Sequence, residues 1–452
     1  MKLTDFKQIA AKGLGILTML LFSGASFGWA DVSQAAFDQV MKSNKELMET
    51  VGKLTKKVDQ LENRVAQTET KQQAVPVSGA VAPSPEGGVV RTIGGDIQMT
   101  GFVDTSFNWN FATPGVAPGG NNSTGNSTLR AFDRESDTFD LNNLQLNFKR
   151  PAPDKGGVGF NAEFTYGTDA GIIQSAPFDT TSSFSIQEAY AELKVPIGAG
   201  LTVWAGKFAT LNGAEVIENY QNWNASRSFL FNLAIPFTHT GVRAIYNWLG
   251  GKISTTLGLV NGWDMVIDNN KVKDVEAQVK WTPNENFNIV QNFLGGSPVV
   301  DDMGDNRFLF DTVATWKPLP KDLPKLTLMG NYDYGAQENV FKGVRGAKGG
   351  PTDWQGYAVY AKYDVNDWLT LAARWEQFWD DESIRTGTTG LTNLWEMTYT
   401  ADVKVYKNLL TRLEYRHDYG NSNRTRGNSG PFDGASRRDQ DTAGVSLVYL
   451  FA

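Results

Sequence analysis

From residue 97 the chain reads IQMTGFVDTSFNWNF. Ile97, Met99, Gly101, Val103, Thr105, Phe107, Trp109 and Phe111 take the odd positions, and Gln98, Thr100, Asp104, Ser106, Asn108 and Asn110 fall on even ones. Side chains alternate faces along a strand, so this pattern predicts a strand with one oily and one wet face. It runs for about 15 residues, where soluble strands run about 5–6.

The pattern recurs to the end of the chain. Residues 158–166 set Val158, Phe160, Ala162, Phe164 and Tyr166 against Asn161, Glu163 and Thr165. Residues 274–281 set Val275, Ala277, Val279 and Trp281 against Asp274, Glu276, Gln278 and Lys280. Residues 395–405 set Trp395, Met397, Tyr399, Ala401, Val403 and Val405 against Glu396, Thr398, Thr400, Asp402 and Lys404. Sixteen such segments are predicted, at 97–111, 138–150, 157–167, 185–195, 201–208, 240–248, 252–261, 273–282, 286–295, 306–317, 325–334, 354–364, 368–379, 391–405, 408–419 and 441–451. The alternation is poor in 201–208 and 286–295, where bulges are expected.

The connections follow two rules. After even-numbered strands they are short turns such as PIGAG, LGG, TPNEN and YKN; after odd-numbered strands most are long, as at 112–137, 168–184, 209–239, 335–353 and 420–440. Short turns on one side and long loops on the other are how outer-membrane barrels are built. Trp248, Trp281, Trp316, Tyr363 and Phe451 fall near the short-turn ends, and Trp109, Phe111, Tyr166, Tyr334 and Tyr415 near the long-loop ends. Two aromatic girdles flanking an aliphatic band complete the expectation: an all-β, transmembrane antiparallel β-barrel of about 16 strands, lipid outside and water within. A soluble solenoid or sandwich explains neither the girdles nor the loop asymmetry.

Ahead of the barrel the pattern changes twice. Lys2, Lys7 and Lys12, a short apolar run from Gly13 to Phe22, and Gly28-Trp29-Ala30 read as a secretory signal over 1–30, with cleavage before Asp31. From Phe37, apolar residues repeat at heptad spacing: Phe37, Asn44, Val51, Val58 and Val65 at a, and Val40, Leu47, Leu54, Leu61 and Thr68 at d. This predicts an N-terminal α-helical coiled coil within 31–73. Val at a, Leu at d and a buried Asn44 favour a dimer; the windows Lys57-Val58-x-x-Leu61-Glu62 and Arg64-Val65-x-x-Thr68-Glu69 resemble a trimer pattern. A single amphipathic helix lying on its own barrel is the alternative. Residues 74–94, opening AVPVSGAVAPSPEGG, read as a linker, and 95–452 as the barrel. An even strand count returns both barrel ends to the periplasm, where the coiled coil would sit.

Composition adds exclusions. The 452 residues include no Cys, which rules out disulfides and thiolate metal sites. Mean hydropathy is −0.33, an average that alternation would hide. A net charge of −7 disfavours nucleic acid as a partner. His239 and His417 are the only histidines and stand far apart, so no Ser-His-carboxylate site is identifiable and no enzyme is expected. Asp301, Asp302 and Asp305 crowd one loop, but such acids are ordinarily solvated; neither a metal nor a cofactor is expected.

The chain resembles the beta-barrel porin-2 (OmpL-like) family from about residue 95 to its C-terminus. The stretches AGKF (205–208), LNGAEVIENYQNWNASRSFLFNLAIPFTHTGVRA (211–244) and LVNGW (259–263) carry the likeness, as does the ending Tyr449-Leu450-Phe451, which Ala452 follows. The resemblance implies an outer-membrane porin and leaves the solute open.

A barrel of this size leaves an aqueous channel, whose selectivity is set where it narrows. The loop after the fifth strand is the longest, and in general porins the loop at this position folds into the lumen. Its candidates are Glu215, Glu218, Asn219, Asn222, Asn224 and Arg227. Pore-lining candidates by parity are Asp104, Glu163, Glu188, Glu192, Lys194, Arg243, Arg374, Glu376, Arg412, Glu414 and Arg416. Acids outnumber bases along the inward-facing wall, so a mild cation preference is expected. The reading is a passive channel for small hydrophilic solutes, with outer-membrane lipid around it and a homotrimer as the assembly. Its rivals are a channel selective for sugars or anions, and an envelope tether whose coiled coil contacts peptidoglycan.

Overall fold

The structure is a computed structural model that describes residues 88–92, 95–112, 127–177, 183–298, 305–338, 340, 350–387, 391–422, 430–432 and 437–451. The expected leader, the coiled coil and most of the linker lie outside them.

Seventeen strands follow in chain order: β1 (Gly88–Thr92), β2 (Gly95–Asn110), β3 (Thr138–Arg150), β4 (Gly157–Tyr166), β5 (Phe184–Val195), β6 (Leu201–Ala209), β7 (Thr238–Trp248), β8 (Ile253–Val260), β9 (Asp274–Asn284), β10 (Phe287–Gly296), β11 (Arg307–Trp316), β12 (Leu326–Gln337), β13 (Thr352–Asp364), β14 (Leu369–Trp379), β15 (Leu391–Tyr406), β16 (Leu409–Ser422) and β17 (Asp439–Phe451). From β2 to β17 each strand pairs antiparallel with its sequence neighbours, and β17 returns to β2 with Phe451 opposite Gly101 and Val445 opposite Phe107. The result is a closed antiparallel barrel of sixteen strands. All sixteen predicted segments are present, with ends displaced by no more than three residues. The last part of the expected linker is itself a strand: β1 pairs antiparallel with the start of β2, Gly88 opposite Met99, and takes up the ladder beyond the point where β17 stops.

The expected bulge in 286–295 is present as a register shift between Phe287 and Ile289. The one expected in 201–208 is not: β6 pairs in unbroken register with β5 and β7. Its irregularity has another cause. Gly206 sits at φ +138°, and a Cβ there would lie 2.2 Å from the Ala189 carbonyl oxygen. A shift between Asp104 and Thr105 turns Asn142 and Asn143 of β3 inward together, and one between Glu163 and Phe164 does the same for Gln187 and Glu188 of β5.

Burial is inverted relative to a soluble protein. The apolar outer face is open, with Val158 60% and Leu257 63% exposed, whereas Asp104, Arg374 and Asp418 on the inner face are at most 1% exposed. An oily surface is stable only against hydrocarbon, and the aromatics sit where lipid headgroups would meet it. Trp248, Trp281 and Trp316 lie half-exposed toward the short-turn ends, and Trp109 and Tyr166 toward the long-loop ends. Inside the barrel lies an apolar cluster that includes Phe229, Leu230, Phe231, Ala234 and Ile235, packed against Leu294, Leu309, Trp354, Phe378 and Leu394.

Candidate functional site

The first five of those apolar residues belong to the loop joining β6 to β7, residues 210–237. Its hydrogen bonds reach β14, β15 and β16. In a ring of sixteen strands, β14 and β15 are the strands diametrically opposite β6 and β7. The loop therefore crosses the lumen.

Charged groups hold it there. Arg374 on β14 donates to Glu215 Oε1 at 2.7 Å and to the Ser226 carbonyl at 2.7 Å. The Ala225 and Ser226 N–H groups donate to the two oxygens of Glu414. Those of Phe229 and Leu230 donate to the two oxygens of Glu376. Arg412 donates to the carbonyl and side-chain oxygens of Asn219 at 2.6 Å each and to the Asn222 carbonyl at 2.8 Å. Asn224 donates to Thr400 Oγ1, and Asn219 to Asp104. Arg416 donates to the Arg227 carbonyl, and its Nε to Asp418 at 2.6 Å. Charge-assisted hydrogen bonds of this kind are about twice as strong as neutral ones.

Within the loop, Asn222 and Val216 exchange hydrogen bonds, and Arg227 spans the loop to the carbonyls of Val216, Ile217 and Ala225. The residues 230–234 form a π-helical turn whose Leu230 lies against the wall at Gly356; a Cβ on that glycine would stand 2.6 Å from Leu230 Cδ2. Trp354 Nε1 donates to the Ala234 carbonyl at 3.1 Å. His239, buried where the loop rejoins the wall, contacts Thr210 Oγ1 and the Gly262 carbonyl.

Of the loop candidates, Glu215, Asn219, Asn222, Asn224 and Arg227 are thus buried in this tie between loop and wall, while Glu218 is half-buried and accepts from Gln187 and Gln145. Among the wall candidates, Asp104, Arg374, Glu376, Arg412, Glu414 and Arg416 meet the loop directly. Glu163 accepts from Gln145 and Asn147, Glu188 from Asn161 and the Ala209 N–H, and Glu192 from Trp204 and the Ala152 N–H. Arg243 is paired with Glu276 at 2.7 Å, and Lys194 with Asp154 at 2.7 Å near the short-turn rim.

The loop leaves a second set less covered: Val216 and Gln221 are exposed, and Tyr220 and Trp223 partly so. Tyr220 meets the inward Phe102 edge-on at 5.1 Å between ring centroids, and Lys362 Nζ stands 5.0 Å above the Trp223 ring. Sequence reading passed over these aromatics and the apolar half of the loop. A signal existed: Phe293-Leu294, Phe308-Leu309-Phe310, Phe378-Trp379 and Leu394-Trp395 are apolar on both faces, so something apolar must lie inside. Among the described residues no group of three His, Cys, Asp or Glu side chains is placed to hold a metal ion.

Residues 96–451 match the family model described as putative beta-barrel porin-2, OmpL-like. No curated protein matches the chain. Among solved structures it is similar to the outer membrane channel DcaP of Acinetobacter baumannii, at 13% identity and a TM-score of 0.54 over 80% of this chain and 99% of that one. It is similar to an anion-selective porin from Comamonas acidovorans, at 10% identity and 0.53 over 78% and 99%. It is also similar to OmpF of Salmonella typhi in complex with daunomycin, at 14% identity and 0.52 over 79% and 98%. At these identities the likeness is one of fold.

Proposed function

The chain belongs to the putative beta-barrel porin-2, OmpL-like, family and is an outer-membrane channel for passive diffusion; on that premise we propose that the loop over 210–237 forms its constriction. The supporting observation is the attachment of that loop to the wall opposite its own strands through Arg374, Glu376, Arg412 and Glu414. A segment fixed at both sides of a lumen narrows it without blocking the rim. Small hydrophilic solutes then pass the edge bearing Glu218, Tyr220, Gln221 and Trp223. Size selection follows from this edge. The fixed polar groups beside it exchange for the solute's hydration water.

The oligomer in this reading is a homotrimer, supported by the two trimer-like windows at 57–62 and 64–69. The stalk they belong to extends into the periplasm, after removal of residues 1–30, on the same side as the short turns.

The test is conductance in planar lipid bilayers together with liposome swelling in sugars of increasing size. Wild-type protein is expected to conduct, and Trp223→Ala with Tyr220→Ala to raise both unitary conductance and the size of sugar admitted. A folded barrel that passes no current overturns the channel; variants with unchanged conductance and cut-off overturn the constriction.

A further inference from the structure

Most lumen arginines stand against a carboxylate. Arg130, Arg243, Arg374, Arg412 and Arg416 each form an ion pair, and Arg227 is engaged by three carbonyls. Two differ. Arg307 is the first residue of β11 and has the inward parity of Asp311. Arg385 lies in the long loop between β14 and β15. Among the described residues neither has an ion-pair partner.

Their protein hydrogen bonds are few. Arg307 gives Nε and Nη2 to the single oxygen of Gln337, and Arg385 gives Nε to the Leu233 carbonyl at the end of the infolded loop. A guanidinium carries five N–H donors, so among the described residues Nη1 of Arg307 and both terminal nitrogens of Arg385 have no protein acceptor. Both side chains belong to partly exposed residues.

What holds the two side chains is aromatic. Arg307 Cζ stands 4.9 Å from the Trp263 ring centroid and Arg385 Cζ 4.7 Å from the same ring. Arg385 also lies 5.3 Å from the Trp354 ring, which meets Trp263 at 6.1 Å with an interplanar angle of 79°. Stacking on a ring face keeps the charge and leaves the N–H fork open. Three acids lie nearby and hold backbone: Asp264 accepts from the N–H groups of Phe237 and Thr238, Asp380 from those of Ile384, Arg385 and Thr386, and Asp274, whose charge acts on Arg307, from that of Ser297. Burial lowers the Arg385 pKa, with Asp264 and Asp380 opposing the shift. Two positive charges gathered at one ring with open donors suit an anion.

We propose that Arg307 and Arg385, stacked about Trp263, form a binding subsite for small oxyanions, carboxylates or phosphates, in the outer vestibule above the infolded loop. The placement follows from the elements involved: Trp263 and Arg385 are on long loops, and Arg307 and Trp354 are at the long-loop ends of their strands. Two forks favour a solute with two anionic groups. The role of such a subsite in passage rests on the channel reading; the binding itself does not. This subsite opposes the cation preference expected from the surplus of wall acids, because those acids are engaged by arginines and by the loop's N–H groups, whereas these two cations are open.

The experiment uses full-length protein freed of lipopolysaccharide. Succinate is titrated into it by calorimetry, with succinamide as the uncharged control and inorganic phosphate as a second anion. The same ligands are added to the long-loop side of single channels in KCl. Succinate is expected to bind at millimolar concentration and to reduce the current, and succinamide to do neither. Arg307→Gln with Arg385→Gln is expected to weaken succinate binding at least tenfold and to move the reversal potential toward cation selectivity, with the unitary current showing that the barrel is intact. Equal succinate binding by wild type and the double variant overturns the subsite, as does no binding by either. Binding to added lipopolysaccharide but to neither free anion overturns it too, since the site then serves a lipid headgroup. A wild type that binds succinate yet passes no current overturns the channel and leaves the subsite standing.

Discussion

Glu376 and Glu396 sit directly opposite one another on β14 and β15, both sealed from solvent. Like charges in such cross-strand pairs repel, and in a sealed environment the repulsion is large. Two different partners offset it. Arg374 lies 2.6 Å from Glu396, and Glu376 is capped by the Phe229 and Leu230 N–H groups of the infolded loop. The wall by itself is thus electrostatically incomplete, and the loop completes it.

Replacing Glu376 with Ala strands the two N–H groups, at about 1–3 kcal/mol for each buried donor left without a partner. The expected outcome is a channel that still assembles but melts earlier in detergent. Its current should flicker between two levels as the loop detaches, which single-channel recording would register; a quiet trace with an unchanged melting point would contradict it.

Arg374 bridges Glu215, Ser226, Glu396 and Thr398 with no part of its side chain exposed. Arg374→Ala leaves buried carboxylates uncompensated, at about 3–5 kcal/mol. Arg374→Lys keeps the charge and loses the planar fork, so it should recover only part of that loss. Urea midpoints of the three proteins in one detergent give the ranking.

At Gly356 the loop and wall touch so closely that a side chain has no room. Gly356→Val should cost about 1–3 kcal/mol through overpacking. A side chain there meets both Leu230 of the loop and the Gln377 carbonyl of the wall, so the cost should come with altered conductance; Val359→Ile on the outer face of the same strand should leave conductance alone.

Trp354 offers a paired comparison. Trp354→Phe removes the hydrogen bond to the Ala234 carbonyl while keeping most of the ring, an expected loss of about 1 kcal/mol. Trp354→Ala removes the ring as well, at about 3–5 kcal/mol. Thermal midpoints in detergent separate the two contributions.

Burial raises the Asp264 carboxyl above its ordinary value of 3.8, against the pull of the Thr238 and Phe237 N–H groups. An acid whose folded value is the higher one contributes stability that is complete below the unfolded value and is lost as pH rises through the folded value. The junction of loop and β7 should therefore weaken as pH rises above about 4. Asp264→Asn should flatten that part of a melting-temperature curve measured against pH.

Much of the barrel was legible because lipid enforces a period of two: any strand that breaks it on the outer face exposes a polar group to hydrocarbon. The lumen imposes no such rule, and there the reading thinned. The loop's place in the chain was evident from its length, but its attachments were not. Glu215 and Arg374 are 159 positions apart, and no local pattern pairs them. The same holds for Arg307, Arg385 and Trp263, which come from the start of β11 and two separate loops and meet only when the ring of strands is complete. Residues 201–208 misled for a different reason: the poor alternation there accompanies Gly206 at positive φ and not a bulge.

The seam between Gly101 and Phe451 has a developmental cost. The first and last strands of the ring are neighbours, so nothing can seal until β17 has been delivered and the whole sheet has reached the membrane. A transcript truncated before Asp439 would not yield a leakier pore. It would yield a ribbon with two bare edges and an oily flank, a substrate for envelope proteases and a seed for aggregation.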